Sequence, residues 1–181
     1  GPIYSFASGL AKYGLEPKDI DTIIHTHLHF DHCENDEECT NAEICVHRAE
    51  IEHIHDPHPL DYRYVEDHIL DVEENGQLRI LDKDTEVAPG IVMVHTPAHT
   101  PGGMTVLIDT AVGRVAITGF CVIQENFEPP KKIRALDLEV IPPGTNLGPA
   151  QAYDIMIAVK GMADRILPLH EPAFAAIDTI G

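Results

Sequence analysis

Basic residues are scarce in this chain of 181 residues. Twelve lysines and arginines stand against 30 aspartates and glutamates, which gives a formal net charge of −18. A surface this acidic repels phosphate groups, so nucleic acid is excluded as a partner. Long hydrophobic runs are also lacking, because the longest apolar stretches are only as long as a strand, which excludes a membrane span or a secretory signal. These absences predict a cytoplasmic protein.

Cysteine is sparse as well, and its spacing forms no disulfide framework. The four cysteines are Cys33, Cys39, Cys45 and Cys121. A chain of this length with 44% hydrophobic residues can fill one core without disulfides, so we expect free thiols and a single domain over residues 1–181. Cys33 and Cys39 lie close to the histidine-rich run described next. A ligand role there is an alternative to a simple loop thiol.

The run His-Leu-His-Phe-Asp-His at residues 27–32 is the most informative feature of the sequence. Imidazole nitrogen is a favoured ligand of Zn²⁺ and Fe²⁺, and a carboxylate adds a harder oxygen donor. In an extended segment alternate side chains share a face, so His27 and His29 can bind one ion together. Asp31 and His32 follow where a turn would direct them to a second ion. The spacing favours a metal site over a solvated loop.

Hydrophobic periodicity and the positions of glycine and proline predict the secondary structure around this run. The expected strands are Asp21–His25, Glu43–Val46, Leu78–Leu81, Ile91–His95, Thr105–Asp109, Val115–Thr118 and Arg165–Leu169. The expected helices are Phe6–Tyr13, Arg48–His55 and Pro149–Lys160. Gly113 is predicted in a hairpin turn. The segment Asp56–Asp71 fits neither pattern, and we interpret it as an insertion at the active site or at a dimer interface.

Three segments in order resemble the metallo-β-lactamase superfamily. Thr26–His32 is similar to its HxHxDH signature, His95–Gly103 to its TPGHTPG segment, and Leu167–Pro172 to its late GHD segment. Within the superfamily the N-acyl homoserine lactonase-like branch is most similar, also at Gln124–Glu128. The resemblance runs from about Lys12 to His170. It implies an α/β fold, the αββα sandwich of metallo-β-lactamases.

The resemblance also implies a ligand set and a reaction. A first metal would be held by His27, His29 and His99, and a second by Asp31, His32 and His170. Zn²⁺ is the first choice, as one or two ions, with Fe²⁺ or Mn²⁺ as alternatives. The implied enzyme is a hydrolase that opens a small lactone, cyclic amide or other acyl substrate by metal-bound hydroxide, with Asp31 as the catalytic residue. Two alternatives stay open: a mononuclear iron dioxygenase-like enzyme, and a non-catalytic degenerate subunit.

The sequence departs from the lactonase branch at the middle of the site. Where the branch has an aspartate that bridges two metals, this chain has Phe120, followed by Cys121. Phenylalanine cannot bind a metal. The site therefore holds one metal, or two metals bridged by water alone, or it uses the Cys121 thiolate. Ile123 occupies the position of the branch's substrate tyrosine, which weakens the case for homoserine lactone itself.

The segment before the histidine-rich run is short. Only 26 residues precede His27, so the N-terminal strands that the superfamily has in its first sheet are absent from this chain. An unpaired apolar strand edge is a liability. We therefore expect a second polypeptide or an oligomer to supply the missing strands. Gly1-Pro2 fits either a natural cleavage or the remainder of a removed tag.

Overall fold

A computed structural model describes residues 5–177 and 179–180 of the chain. Gly1-Pro2 therefore lies outside the described residues. The chain divides into two compact units, residues 1–81 and residues 82–181. The prediction of a single domain and that of an added N-terminal polypeptide both stay predictions.

The described residues form seven helices and eight strands. The helices are α1 (Phe6–Ala11), α2 (Phe30–Cys33), α3 (Arg48–His55), α4 (Asp67–Glu74), α5 (Gln124–Phe127), α6 (Lys131–Arg134) and α7 (Pro149–Lys160). The strands are β1 (Thr22–Ile24), β2 (Glu43–His47), β3 (Leu78–Leu81), β4 (Thr85–Ala88), β5 (Ile91–His95), β6 (Met104–Thr110), β7 (Gly113–Thr118) and β8 (Arg165–Pro168). Short 3-10 turns cover Pro17–Asp19, Asp36–Glu38 and Pro172–Ala176.

The first unit is built on a parallel sheet with the strand order β1-β2-β3. Its central strand β2 is covered on both faces, as an inner parallel strand should be, and Ile44, Cys45 and Val46 are fully buried. Helices α3 and α4 connect β2 to β3. Each helix contributes an i, i+3 pair to the core, Ile51 with Ile54 and Ile69 with Val72. The cost of exposing these side chains fixes the crossover over one face of the sheet.

The second unit contains a five-stranded sheet with the order β4-β5-β6-β7-β8. The strands pair antiparallel except for β7 and β8, which are parallel. A parallel pair needs a long crossover, which here includes α7 with the buried residues Ala152, Met156 and Val159. Gly113 has a φ of 121° in the β6–β7 hairpin. A Cβ at Gly113 would lie 2.6 Å from Asp164 Oδ2, so this hairpin requires glycine.

Most predicted elements are confirmed, whereas strand β4 and helices α4, α5 and α6 were not predicted. Leu78–Leu81, Ile91–His95, Arg48–His55 and Pro149–Lys160 have the predicted bounds. The segment Asp56–Asp71 was left without structure, yet it leads into α4. Strand β4 was missed because its sequence, Thr-Glu-Val-Ala, is short and mostly polar or small. Among the described residues, no helix is both long and apolar enough to cross a bilayer.

Candidate metal centre

The histidine-rich run begins where β1 ends. The His25 backbone N–H still donates to Cys45 O at 3.0 Å, which continues the parallel ladder by one residue. The chain then leaves the sheet, and His27 and His29 are almost completely buried. Their ring centroids are 4.7 Å apart, and one ligand nitrogen of each lies within 4.8 Å of the other. Two buried imidazoles this close are suited to one metal ion.

Asp31 and His32 lie on the one-turn helix α2, which starts at Phe30 immediately after His29. The sequence predicted a turn here, and a helical turn is what the chain forms. Asp31 Oδ2 lies 3.3 Å from His32 Nε2, and 42% of the Asp31 side chain is exposed. The His32 ring is 4.3 Å from that of His27. The structure therefore brings all four predicted ligands of the first unit into one loop.

His99 lies in the loop between β5 and β6 of the second unit and is 4% exposed. Its Nδ1 is 2.9 Å from Thr145 O. A carbonyl only accepts, so Nδ1 carries the hydrogen and Nε2 is left with the lone pair. The loop is tightened by a hydrogen bond between Thr96 Oγ1 and Thr105 Oγ1 at 2.9 Å. His99 therefore has the tautomer that a metal ligand bound through Nε2 requires.

His170 follows β8 in the second unit and is exposed. The next residue, Glu171, accepts hydrogen bonds from the backbone N–H groups of Gln124 at 2.8 Å and Ala173 at 3.0 Å. These two bonds lower the pKa of the Glu171 carboxyl from its ordinary value, the one from Gln124 having the larger effect. Glu171 thus ties the segment after β8 to the start of α5. His170 stands at the end of a strand, as predicted.

His25 and His95 are adjacent to the ligand segments and have structural partners. His25 Nε2 is 2.6 Å from Asp36 Oδ2, and both side chains are buried. His95 Nε2 is 3.0 Å from Pro101 O. Asp36 carried no signal in the sequence, because it stands in an ordinary acidic run. Both contacts hold loops that carry predicted ligands.

Phe120 and Cys121, at the position of the branch's bridging aspartate, lie in different environments. Phe120 is fully buried in the core of the second unit, where its ring stacks on Phe127 at 6.2 Å. Its apolar side chain therefore packs in the core of the second unit and does not serve as a metal ligand. The next residue, Cys121, is exposed. Its role as a ligand stays a prediction.

The other three thiols are buried. Burial, with a smaller effect of Asp36, raises the pKa of the Cys33 thiol to about 12. The Cys33 Sγ donates to Leu28 O and His29 O at 3.6 and 3.4 Å, so its sulfur supports the loop backbone. Burial also raises the pKa values of Cys39 and Cys45. We favour thiols at these three positions over thiolate ligands.

These environments predict selective labelling. A maleimide added at neutral pH to the native chain is expected to modify Cys121 rapidly and the three buried cysteines only after unfolding, because the thiolate is the reactive form. Peptide mass spectrometry against time measures this. Rapid native labelling of Cys33 would contradict the buried assignment. Protection of Cys121 by added Zn²⁺ would identify it as a ligand.

Two residues that contact the loop carrying His27 and His29 were not predicted from the sequence. Glu50 on α3 accepts hydrogen bonds through Oε2 from the Leu28 backbone N–H at 2.9 Å and from Tyr64 OH at 2.8 Å. The Tyr64 ring meets the His29 ring edge-on at 4.7 Å. Tyr64 belongs to the segment Asp56–Asp71, so this segment lies against the predicted ligands. Both interpretations of the segment, an insertion at the active site or at a dimer interface, stay predictions.

Comparison with known proteins agrees with these features. Residues 3–160 match the family described as the metallo-beta-lactamase superfamily. An N-acyl homoserine lactonase of a Bacillus species is 37% identical over 133 residues, which are 72% of this chain and 50% of the relative. That of Bacillus cereus is 35% identical over 135 residues, with the same coverage. The chain thus spans about half the length of the curated relatives it matches.

Solved structures match nearly the whole chain. An N-acyl homoserine lactone hydrolase with N-hexanoyl-L-homoserine bound at its catalytic metal centre has a TM-score of 0.73 and 28% identity, covering 93% of this chain and 63% of its own. A probable metal-dependent hydrolase of Staphylococcus aureus, 22% identical, has the same fold with a TM-score of 0.76 over 94% of this chain and 61% of its own. The predicted α/β fold of metallo-β-lactamase type is confirmed. The chain belongs to the metallo-beta-lactamase superfamily.

Proposed function

We propose that this chain carries the metal centre of a hydrolase that opens a small lactone or cyclic amide. The observation that carries the proposal is the buried pair His27 and His29 beside Asp31 and His32, in a chain similar to N-acyl homoserine lactonases. Imidazole nitrogen is a favoured ligand of Zn²⁺, and two buried imidazoles side by side are suited to one ion. Metal binding accounts for both the residue types and their spacing.

The donor set fits a divalent ion. We assign one site to His27, His29 and His99, and a second to Asp31, His32 and His170. Imidazole nitrogens with a single carboxylate suit Zn²⁺, and Fe²⁺ or Mn²⁺ is compatible with the same donors. A bound ion would polarise the substrate carbonyl and lower the pKa of a coordinated water.

The residues of the chain have separate tasks in this proposal. The carboxylate of Asp31 is partly exposed, so it is placed to orient the attacking water and to pass a proton to the leaving oxygen or nitrogen. The Thr145 carbonyl orients His99. The buried histidines keep bulk water away from one side of the site, which strengthens electrostatic contacts with the developing oxyanion.

The net charge and the two departures from the lactonase branch bear on which substrates we propose. The net charge of −18 disfavours phosphodiesters, whereas neutral lactones and cyclic amides meet no such repulsion. Phe120 and Ile123 replace residues that the resemblance links to the metals and to homoserine lactone. We therefore propose the broader class of small cyclic carbonyl compounds and make homoserine lactones one member to be tested.

A panel assay tests this function. The chain loaded with Zn²⁺ or Mn²⁺ is expected to open N-hexanoyl homoserine lactone, γ-butyrolactone or a cyclic amide. A pH indicator measures the acid released from the lactones, and mass spectrometry measures the amino acid formed from the cyclic amide. Bis(p-nitrophenyl) phosphate should not be cleaved. Hydrolysis of the phosphodiester, or no ring opening by a chain with full metal content, would contradict the proposal.

Elemental analysis separates the alternatives. One or two Zn²⁺ or Mn²⁺ ions per chain support hydrolysis. A single iron with oxygen uptake would instead support the dioxygenase-like alternative, and a chain that binds no metal would support the non-catalytic one.

A further inference from the structure

The segment Asp61–Tyr64 contacts His29, and both belong to the first unit. Asp61 Oδ1 lies 3.2 Å from His29 Nε2, with only 20% of the Asp61 side chain and 2% of the His29 side chain exposed. An isolated bridge pairs His29 with Tyr64. The Phe30 backbone N–H donates to Arg63 O at 2.9 Å. The segment is therefore fixed against the backbone of the loop as well as against its side chain.

The Asp61 carboxylate is itself held firmly. Arg63 donates to Oδ1 through Nε at 3.1 Å and through Nη2 at 2.8 Å. The backbone N–H of Asp61 donates to His58 O at 2.7 Å. Two N–H groups of Arg63 and, at 3.2 Å, the His29 Nε2 atom thus lie around one oxygen. His53 Nε2 lies 3.8 Å from the other oxygen, Oδ2.

We propose that Asp61 is a positioning residue that selects the tautomer of His29. A neutral imidazole carries one hydrogen, and an ionised carboxylate only accepts. The hydrogen therefore belongs on Nε2, facing Asp61, and the lone pair of Nδ1 is the one presented to a metal. This inference rests on the metal centre proposed above, and it names which nitrogen of His29 would bind.

Asp61 is not itself a ligand in this arrangement. A cationic guanidinium lies against the same oxygen, and a metal cation next to it would be repelled. The role is also distinct from that of Glu66, whose Oε1 lies 2.7 Å from Nδ1 of the exposed His55. The His55–Glu66 contact also joins a histidine to a carboxylate, but on the surface, so it serves as a control.

Nuclear magnetic resonance reads the tautomer directly. In the ¹⁵N-labelled chain, long-range ¹H–¹⁵N correlations of the His29 ring, assigned by comparison with His29→Gln, are expected to show hydrogen on Nε2. Asp61→Ala should produce a mixture of both tautomers. Hydrogen on Nδ1 of His29 in the unsubstituted chain would overturn the inference.

Metal affinity provides the second test. Zn²⁺ affinity measured against a chromophoric chelator is expected to fall about 10- to 100-fold in Asp61→Ala, the usual effect of losing such an outer carboxylate. Asp61→Asn should keep most of the affinity, because its carboxamide oxygen can still accept from Arg63 and from a hydrogen on His29 Nε2. Glu66→Gln should bind Zn²⁺ like the unsubstituted chain.

The outcomes separate this inference from the proposed function. If the unsubstituted chain binds no Zn²⁺, the metal centre itself is wrong. If it binds Zn²⁺ and folded Asp61→Ala binds equally well, only the role of Asp61 is wrong. If Asp61→Asn is as weak as Asp61→Ala, the charge of Asp61 matters rather than the tautomer, and the inference is overturned.

Discussion

Replacing His29 with alanine is expected to remove bound metal and hydrolytic activity together while leaving the fold largely intact. His29 is buried beside His27, and alanine supplies no lone pair. Loss of an outer carboxylate already costs about 10- to 100-fold in metal affinity or activity, so loss of a direct ligand should exceed about 100-fold. Metal content by elemental analysis and ring opening by the indicator assay measure the two effects.

Two further variants make this prediction specific. His99→Ala should behave like His29→Ala, although His99 lies in the other unit of the chain. His58→Ala is the control, because this histidine is exposed and its ring only accepts from the Leu60 backbone N–H at 3.2 Å. Full activity in a verified metal-free His29→Ala chain would refute the mechanism.

Replacing Glu50 with alanine is expected to lower the free energy of unfolding by about 3 kcal/mol. Glu50 is 1% exposed, and its Oε2 accepts from both the Leu28 N–H and Tyr64 OH. Alanine leaves these two buried donors without that acceptor. Leu28 stands between His27 and His29, so metal affinity should decline as well. Urea unfolding followed by circular dichroism, with chelator present, measures the stability alone.

Matched variants isolate the hydrogen bonds of Glu50. Glu50→Gln keeps an acceptor oxygen, so its loss of stability should be smaller than that of Glu50→Ala. Glu52→Ala lies on the same helix with an exposed side chain and should change stability by no more than about 0.5 kcal/mol. An unchanged unfolding midpoint in Glu50→Ala would show that the buried carboxylate contributes nothing net.

The local pattern of apolar residues, glycines and prolines was sufficient to predict many of the helices and strands. Strand β5 and helix α7 were predicted with their observed bounds, because glycine and proline end them and their apolar spacing is clear. Helix α4 was missed although Ile69 and Val72 are spaced as a helix face. The many polar residues before them concealed a pattern of only one turn.

The sequence by itself determined the candidate ligands in the loop after β1, since four ligand-type side chains within six positions leave little choice of chemistry. Only the tertiary structure showed which residues contact and hold these ligands. Glu50 is 22 residues from Leu28, and Asp61 lies further along still, in a segment without periodicity. Their roles arise because α3 and the segment before α4 fold back onto the loop. A contact between residues that are distant in the chain produces no recognisable sequence pattern, whereas ligands that are close in the chain form a motif with a fixed spacing.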